Sequence, residues 1–276
     1  MMIQHIWYRG PDGCPLHAAR VEAPRSADQT RRPAPLVLLH GGGPDHESLL
    51  PLARLLAHDR TVILPDVRGY GRSVCNDPSR HTWQRYGDDV AALLDHLGYA
   101  KAVLGGAGLG ATVSLRTALA HAERVTALVL ISVEDIEDDA AKQAEIEFMD
   151  AFAARVRHQG IDAAWEAILP ELAPVIGAMV RDAIPRSDAG SIAAAAAIGR
   201  DRSFKDIEEL AAIAVPTLVF AGIDFRHPVE LADRLARTLP LGQRGDASFS
   251  AETVTAEQFA QAFARPIDRF LANLGE

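Results

Sequence analysis

The chain has 276 residues, a hydrophobic fraction of 48% and a formal net charge of −9. This length and composition fit one large α/β domain, or one domain that carries an insertion. The acidic balance argues against a nucleic-acid partner, which requires a basic surface. The two cysteines, Cys14 and Cys75, give neither a disulfide framework nor the spacing of a zinc site. We therefore expect a reducing compartment and no metal.

The first residues lack the charged start and apolar core of a secretory signal. No apolar run reaches the roughly 18–20 residues that a membrane span needs. We therefore expect a cytoplasmic protein that has no membrane partner and takes a small molecule as its ligand. The sequence leaves the oligomeric state open, with a homodimer among the alternatives.

Strand and helix patterns alternate over the first half of the chain. Two weakly alternating runs predict an opening β-hairpin, at 3–9 and 15–23. Continuous apolar runs predict buried strands at 36–40, 61–65, 101–106 and 125–132. Helical patterns separate these strands, at 47–57, 83–98 and 108–121. This order is typical of a parallel sheet that helices cover on both faces.

The alternation stops at Glu134, and from there to about residue 213 only helix patterns occur. A strand pattern resumes at 215–222, and helical patterns follow it at 227–240 and 257–274, the last with a kink expected at Pro266. We therefore predict a core domain made of residues 1–133 and 214–276. A helical cap of residues 134–213 is expected to cover one edge of the sheet.

Four segments resemble the α/β-hydrolase fold. "LVLLHGGGPD" (36–45) is similar to the strand and oxyanion loop of that superfamily, and "ILPDVRGYGRS" (63–73) to its D-x-R-G-x-G-x-S turn. "AVLGGAGLGA" (102–111) resembles its nucleophile elbow, and "VPTLVFAGID" (215–224) resembles the strand that presents its catalytic acid. The resemblance implies a mostly parallel eight-stranded sheet with a cap, as in esterases and lactonases. It also implies a structural role for the turn residues, Tyr70 among them.

The elbow of this superfamily holds its nucleophile between two glycines. Here the elbow reads "GAGLG" (106–110), so the nucleophile position is Gly108, which has no atom that can attack a carbonyl. The superfamily's catalytic histidine follows the last strand, but no histidine follows His227. The resemblance therefore implies a degenerate triad that lacks its base. On this view Gly108→Ser alone would not create an efficient esterase.

The glycine cluster also raises the alternative of a phosphate-binding loop. Its third glycine, Gly110, falls too early for the G-x-G-x-x-G pattern, and no Gly-Lys-Ser/Thr sequence follows it. We therefore expect no nucleotide and no other cofactor.

The resemblance implies an oxyanion hole without a nucleophile. The backbone N–H groups of Gly42 and Leu109 match the superfamily's donors, and Gly41 and Gly43 flank the first of them. Such donors stabilise a developing oxyanion by roughly 3–4 kcal/mol. The site is therefore expected to bind and polarise a carbonyl group.

Acid and base candidates lie where the strands end, which is where such sheets bind ligands. The superfamily's acid position matches Phe225, and the neighbouring Asp224 either replaces the acid or caps the turn. Two roles are also open for Glu134, which either transfers a proton as a base or forms part of the hinge of the cap. The candidate catalytic side chains are Asp224, His46 and Glu134, and the candidate substrate-binding residues are Gly41, Gly43, Asp135, Phe225 and His227.

Three functions fit this pattern. The leading hypothesis is an enzyme that binds a small apolar carbonyl compound and drives proton transfer, elimination, rearrangement or water addition without serine chemistry. The second is an esterase or lactonase with a relocated acid–base pair. The third is a non-catalytic ligand-binding or partner protein, because a fold alone does not determine function.

Overall fold

The computed structural model describes residues 2–23, 33–134, 138–224 and 226–274. Within these ranges, eight strands form one sheet in the order β1-β2-β4-β3-β5-β6-β7-β8. The strands are β1 (Ile3–Arg9), β2 (Pro15–Val21), β3 (Leu36–Leu39), β4 (Val62–Pro65), β5 (Ala102–Ala107), β6 (Val125–Ile131), β7 (Thr217–Phe220) and β8 (Gly242–Arg244).

The sheet is mostly parallel, as the sequence predicts. Strand β1 pairs antiparallel with β2, β2 pairs antiparallel with β4, and every pair from β4 to β8 is parallel. Strands β3 and β4 are fully buried apolar runs, which is typical of parallel strands covered on both faces. Strand β8 has the sequence "GQR" and is a short, exposed edge strand. It therefore shows no alternation of apolar and polar residues from which a strand could be predicted.

Helices flank the sheet and also fill the segment between β6 and β7. They are α1 (Leu50–Leu56), α2 (Trp83–Leu97), α3 (Leu109–Ala120), α4 (Asp139–Gln159), α5 (Ile161–Glu166), α6 (Pro174–Ala183), α7 (Ala189–Ala195), α8 (Val229–Thr238) and α9 (Ala256–Ala272). Helix α9 begins with a capping box of Thr255 and Gln258 and includes Pro266 within its length. No helix in the described ranges is both long enough and apolar enough to cross a bilayer.

Two apolar clusters hold the helices against the sheet. On one face, Val113 of α3 and Leu93 of α2 pack with Leu104 of β5. On the other face, Phe263 of α9 meets Phe220 of β7, with ring centroids 5.0 Å apart. Each fully buried side chain of this size contributes roughly 1.5–3 kcal/mol. These clusters fix the strand ends that carry the polar residues described below.

The helices between β6 and β7 have a small core of their own. It contains Phe152, Val156 and Ile192. Phe148, which the sequence places on the same face, is instead 38% exposed. The division into a core and a cap at residues 134 and 213 remains a prediction.

Candidate active site

The turn between β5 and α3 has the shape of a nucleophile elbow. Gly108 has φ 52° and ψ −119°, a left-handed conformation that glycine adopts without steric cost. A side chain at Gly106 or Gly110 would collide with the backbone of Leu39. The flanking glycines are therefore required by the close approach of β3, and the turn keeps its form without a nucleophile.

The space above Gly108 faces an imidazole and a carboxylate. A Cβ placed at Gly108 would lie 3.7 Å from His227 Nε2 and 3.9 Å from Glu134 Oε1. Glu134 follows β6, and His227 follows β7 just before α8. The carboxyl ends of these neighbouring parallel strands share one edge of the sheet, so residues 93 positions apart meet above the elbow.

Two carboxylates hold the His227 ring from opposite sides. Its Nδ1 lies 2.7 Å from Asp224 Oδ1, and its Nε2 lies 3.2 Å from Glu134 Oε2. The same Asp224 oxygen accepts the backbone N–H of Arg226 at 3.0 Å and that of His227 at 3.1 Å. Asp224 therefore fills both roles that the sequence left open, as turn cap and as partner of a base.

The charges of this cluster are coupled. Burial disfavours the charged ring, but the hydrogen bonds to Asp224 and Glu134 outweigh it and raise the pKa of His227 to about 9. Burial likewise opposes ionisation of the two acids, but the contact with His227 lowers the pKa of Glu134 and that of Asp224. At neutral pH the site holds an imidazolium between two carboxylates.

Arg226 links this cluster to helix α4. Its guanidinium lies 2.9 Å from Glu145 of α4 and 3.9 Å from Glu134, and it stacks over the Phe148 ring. Arg226 carries no motif of its own, and its place between the candidates Asp224 and His227 is its one signal in the sequence. A further hydrogen bond, from Thr112 Oγ1 to the Glu134 carbonyl, fixes the backbone at the end of β6.

The predicted oxyanion donors lie beside the elbow. Leu109 is the first residue of α3, so helical geometry gives its N–H no intrahelical acceptor. A Cβ placed at Gly42 would lie 3.8 Å from the Tyr70 hydroxyl. Burial and the charge of Glu134 raise the pKa of Tyr70, so its phenol stays protonated and able to donate. Tyr70 thus borders the site, although the sequence assigned it to a structural turn.

The loop after β3 packs between the elbow and helix α5. A Cβ at Gly41 would lie 3.5 Å from the Ala107 carbonyl at the end of β5. Gly43 has φ 101°, and a Cβ there would lie 2.7 Å from the Trp165 indole. Only glycine fits this contact, which brings α5 against the loop that carries Gly42.

Two expectations about the site need correction. The sequence predicted that the superfamily's histidine is missing and gave His227 a substrate-binding role, but His227 lies beside the elbow because the turn after β7 folds tightly, with Gly222 against the His227 backbone. His46 does not join this cluster, since its ring Nδ1 and its backbone N–H both bond to Asp66, at 2.8 and 2.9 Å. The candidates Asp135 and Phe225 lie outside the described residues.

Comparisons with known proteins agree with the fold described above. A family model described as the alpha/beta hydrolase fold matches residues 34–167. The dihydrolipoyllysine-residue acetyltransferase component of the acetoin cleaving system of Pseudomonas putida is 42% identical over 98 residues, covering 36% of this chain and 26% of that protein. The 2-hydroxymuconate semialdehyde hydrolase of Pseudomonas sp. strain CF600 is 33% identical over 103 residues, covering 35% of each. The chain thus spans well under half of either relative.

A solved structure matches over a greater length. A thermophilic esterase from Thermogutta terrifontis, determined with malate bound, is 25% identical with a TM-score of 0.77. The match covers 99% of this chain and 100% of that chain. The similarity therefore extends over the sheet, the elbow and the helices between β6 and β7.

Proposed function

Because the chain belongs to the α/β-hydrolase superfamily, we propose that it is an enzyme that transfers a proton at a small carbonyl compound without a covalent intermediate. One observation carries the proposal: His227 and Glu134 meet above an elbow whose central residue, Gly108, has no side chain. The elbow offers no nucleophile, but the groups around it can still exchange protons.

The substrate carbonyl is placed against the backbone N–H groups of Gly42 and Leu109. These two donors face the same space as the elbow in proteins of this fold, and they strengthen as negative charge develops on the oxygen. Trp165 of α5 and Val180 of α6 lie against the neighbouring Gly43 and support an apolar substrate. In this proposal the predicted cap excludes water from the site.

Glu134 serves as the base. Its carboxylate takes a proton from the carbon next to the carbonyl, and the electron pair of the broken C–H bond moves to form an enolate held by the N–H donors. The imidazolium of His227 then returns a proton to carbon, and Glu134 passes its own proton to His227 across their hydrogen bond. Asp224 holds the ring in place throughout.

Solvent exchange tests this proposal without knowledge of the natural substrate. Small ketones, 2-oxo acids and thioesters are incubated with the protein in D2O, and deuterium at the α-carbon is followed by NMR. We expect exchange for at least one class, with Glu134→Gln and His227→Asn at least 100-fold slower, because general acid–base groups typically contribute 10²–10⁴-fold. The exposed His158→Ala variant is the control and retains exchange. Exchange that survives both site variants would overturn the proposal.

Ester or lactone hydrolysis by a directly activated water is the second candidate. It is favoured by the thermophilic esterase that matches almost the whole chain. A water in place of a Gly108 side chain would lie within reach of His227 and Glu134, given the 3.7 and 3.9 Å distances there. Product analysis with ester and lactone substrates in H2¹⁸O distinguishes the two: hydrolysis releases a carboxylic acid that carries one ¹⁸O, whereas proton transfer leaves the ester bond intact.

A further inference from the structure

Three histidines from separate elements meet near the opposite edge of the sheet from His227. His5 lies on β1, His17 on β2, and His46 follows β3. Their ring centroids are 5.2 Å apart for His5 and His17, 4.9 Å for His17 and His46, and 6.0 Å for His5 and His46. Nδ1 of His5 lies 3.0 Å from Nε2 of His17.

One buried carboxylate orients two of these rings. Asp66 Oδ2 lies 2.7 Å from His17 Nδ1, and its Oδ1 lies 2.8 Å from His46 Nδ1. Asp66 also accepts the backbone N–H groups of His46 at 2.9 Å and of Arg72 at 3.0 Å, as an ionised carboxylate does. An ionised carboxylate only accepts hydrogen bonds, so both Nδ1 atoms carry the proton. In the neutral rings the lone pair is then on Nε2, and that of His17 is within hydrogen-bond distance, 3.0 Å, of His5 Nδ1.

We propose that His5, His17 and His46 bind a divalent transition-metal ion of the Zn²⁺ type, with Asp66 orienting the two buried rings. Zn–N bonds of about 2.0–2.1 Å put two tetrahedral ligand nitrogens roughly 3.3 Å apart, close to the 3.0 Å between His5 and His17. A carboxylate that accepts from the far nitrogen of a ligating histidine is the usual support of such sites. His17 and His46 also belong to a trio that offers one ligand atom each within 4.8 Å of one another, with Asp66 and not His5 as its third member.

The charges around His5 fit a metal ligand. The Arg72 guanidinium, 3.3 Å from His5 Nδ1, lies on an exposed side chain and moves aside when the ion binds. The carboxylate of Glu47 adds a negative charge nearby.

The hydrogen bonds to Asp66 do not account for the whole cluster. They explain the orientation of His17 and His46. His5, however, is exposed on an edge strand, and its ring nitrogens are bonded to other groups than Asp66. Its ring nevertheless faces the unprotonated nitrogen of His17. The sequence predicted no metal site because the three histidines are 12 and 29 residues apart and follow no local motif.

Metal binding to the full chain tests the site independently of any activity. After chelator treatment, Co²⁺ is titrated and followed by visible absorption, and Zn²⁺ by calorimetry and thermal unfolding. We expect one equivalent to bind, with the strong visible bands of tetrahedral Co²⁺ and a higher Tm with Zn²⁺. His5→Ala should weaken Zn²⁺ binding at least tenfold, whereas the exposed His158→Ala should leave it unchanged.

Because His5 is exposed on β1, its alanine variant is expected to fold, which a metal-free unfolding curve checks. His46→Ala supplies a second variant in which the other half of the site is removed. Equal Zn²⁺ affinity in wild type, His5→Ala and His46→Ala would overturn the proposal. So would loss of binding in His158→Ala alone, since the ion would then lie elsewhere.

Discussion

His227 Nε2 lies 3.2 Å from a carboxylate oxygen of Glu134, although 93 residues separate the two in the chain. The contact forms because β6 and β7 are parallel neighbours whose carboxyl ends meet at one edge of the sheet. It places a histidine beside a strand-to-helix turn whose central residue, Gly108, has no side chain. The predictions below follow from this contact and from the groups that support it.

Restoring a nucleophile at the elbow should restore covalent reactivity. A Cβ at position 108 would lie 3.7 Å from His227 Nε2, so the hydroxyl of Gly108→Ser comes within reach of a base. We expect labelling by a serine-reactive phosphonate roughly 100-fold or more above Gly108→Ala, which introduces the same backbone strain. The rate should rise as the pH approaches 9, because the imidazolium must first lose its proton.

The sequence predicted that Gly108→Ser alone would not create an efficient esterase, because no histidine follows His227; labelling at position 108 tests whether His227 itself can serve as the base. Mass spectrometry of the labelled peptide measures it directly. Equal labelling of the serine and alanine variants would mean that His227 does not act on position 108.

The pH dependence of stability should report the charge of His227. Its folded pKa of about 9 lies above the ordinary value of 6.5, so the folded state binds the extra proton between these two values. The resulting stabilisation is fully present below pH 6.5 and is lost as pH rises through 9. A shift of this size corresponds to on the order of 3 kcal/mol. Urea unfolding of wild type and His227→Asn at pH 6 and 9.5 measures it, and an equal pH slope in both would contradict the assignment.

Arg226→Gln should raise the pKa of Glu134, the proposed base. Arg226 lies 3.9 Å from Glu134 and 2.9 Å from Glu145, and its charge helps to lower the pKa of Glu134. We expect the acidic limb of the pH profile for α-carbon proton exchange to move to higher pH, while the rate at neutral pH, where Glu134 stays ionised, changes little. Arg200→Gln, which breaks the exposed pair with Asp150, is the matched control and should leave the profile unchanged. An unmoved acidic limb in Arg226→Gln would count against the role of Glu134 as base.

Arg68 should be structural. Its buried guanidinium contacts Asp89 at 2.7 Å and Asp12 at 2.9 Å, so Arg68→Met removes the ion-pair partner of Asp89 and leaves Asp12 only more distant cations. Breaking such a pair costs roughly 3–5 kcal/mol in the free energy of unfolding. Arg80→Met removes a half-exposed cation 3.8 Å from the same Asp12 and should cost about 1 kcal/mol or less. Urea unfolding compares the two, and similar costs would contradict the account.

The order of apolar runs predicted the sheet, because buried parallel strands are continuous apolar segments that helices must separate. Strand β8 escaped detection, since three polar residues at an edge carry no periodicity. The glycines of the elbow also predicted the turn between β5 and α3, because the close approach of Leu39 allows no side chain at Gly106 or Gly110.

The site was only partly predictable. Glu134 and Asp224 were named because they follow strands, but the role of His227 depends on a tight turn against Gly222 that no spacing rule reveals. His46 follows a strand as well, yet its pairing with Asp66 takes it into another cluster. A residue that directly follows a parallel strand can be assigned to the carboxyl edge of the sheet from the sequence. Which of these residues pair with one another depends on how each loop folds.

An NMR titration of the His227 imidazole, in wild type and in Glu134→Gln, tests the central claim most directly and needs no substrate. The account predicts a pKa of about 9 in the wild type and a lower pKa in the variant, because the charge that holds the proton on Nε2 is gone. A ring that titrates near its ordinary value of 6.5, with the same pKa in both proteins, would contradict the account.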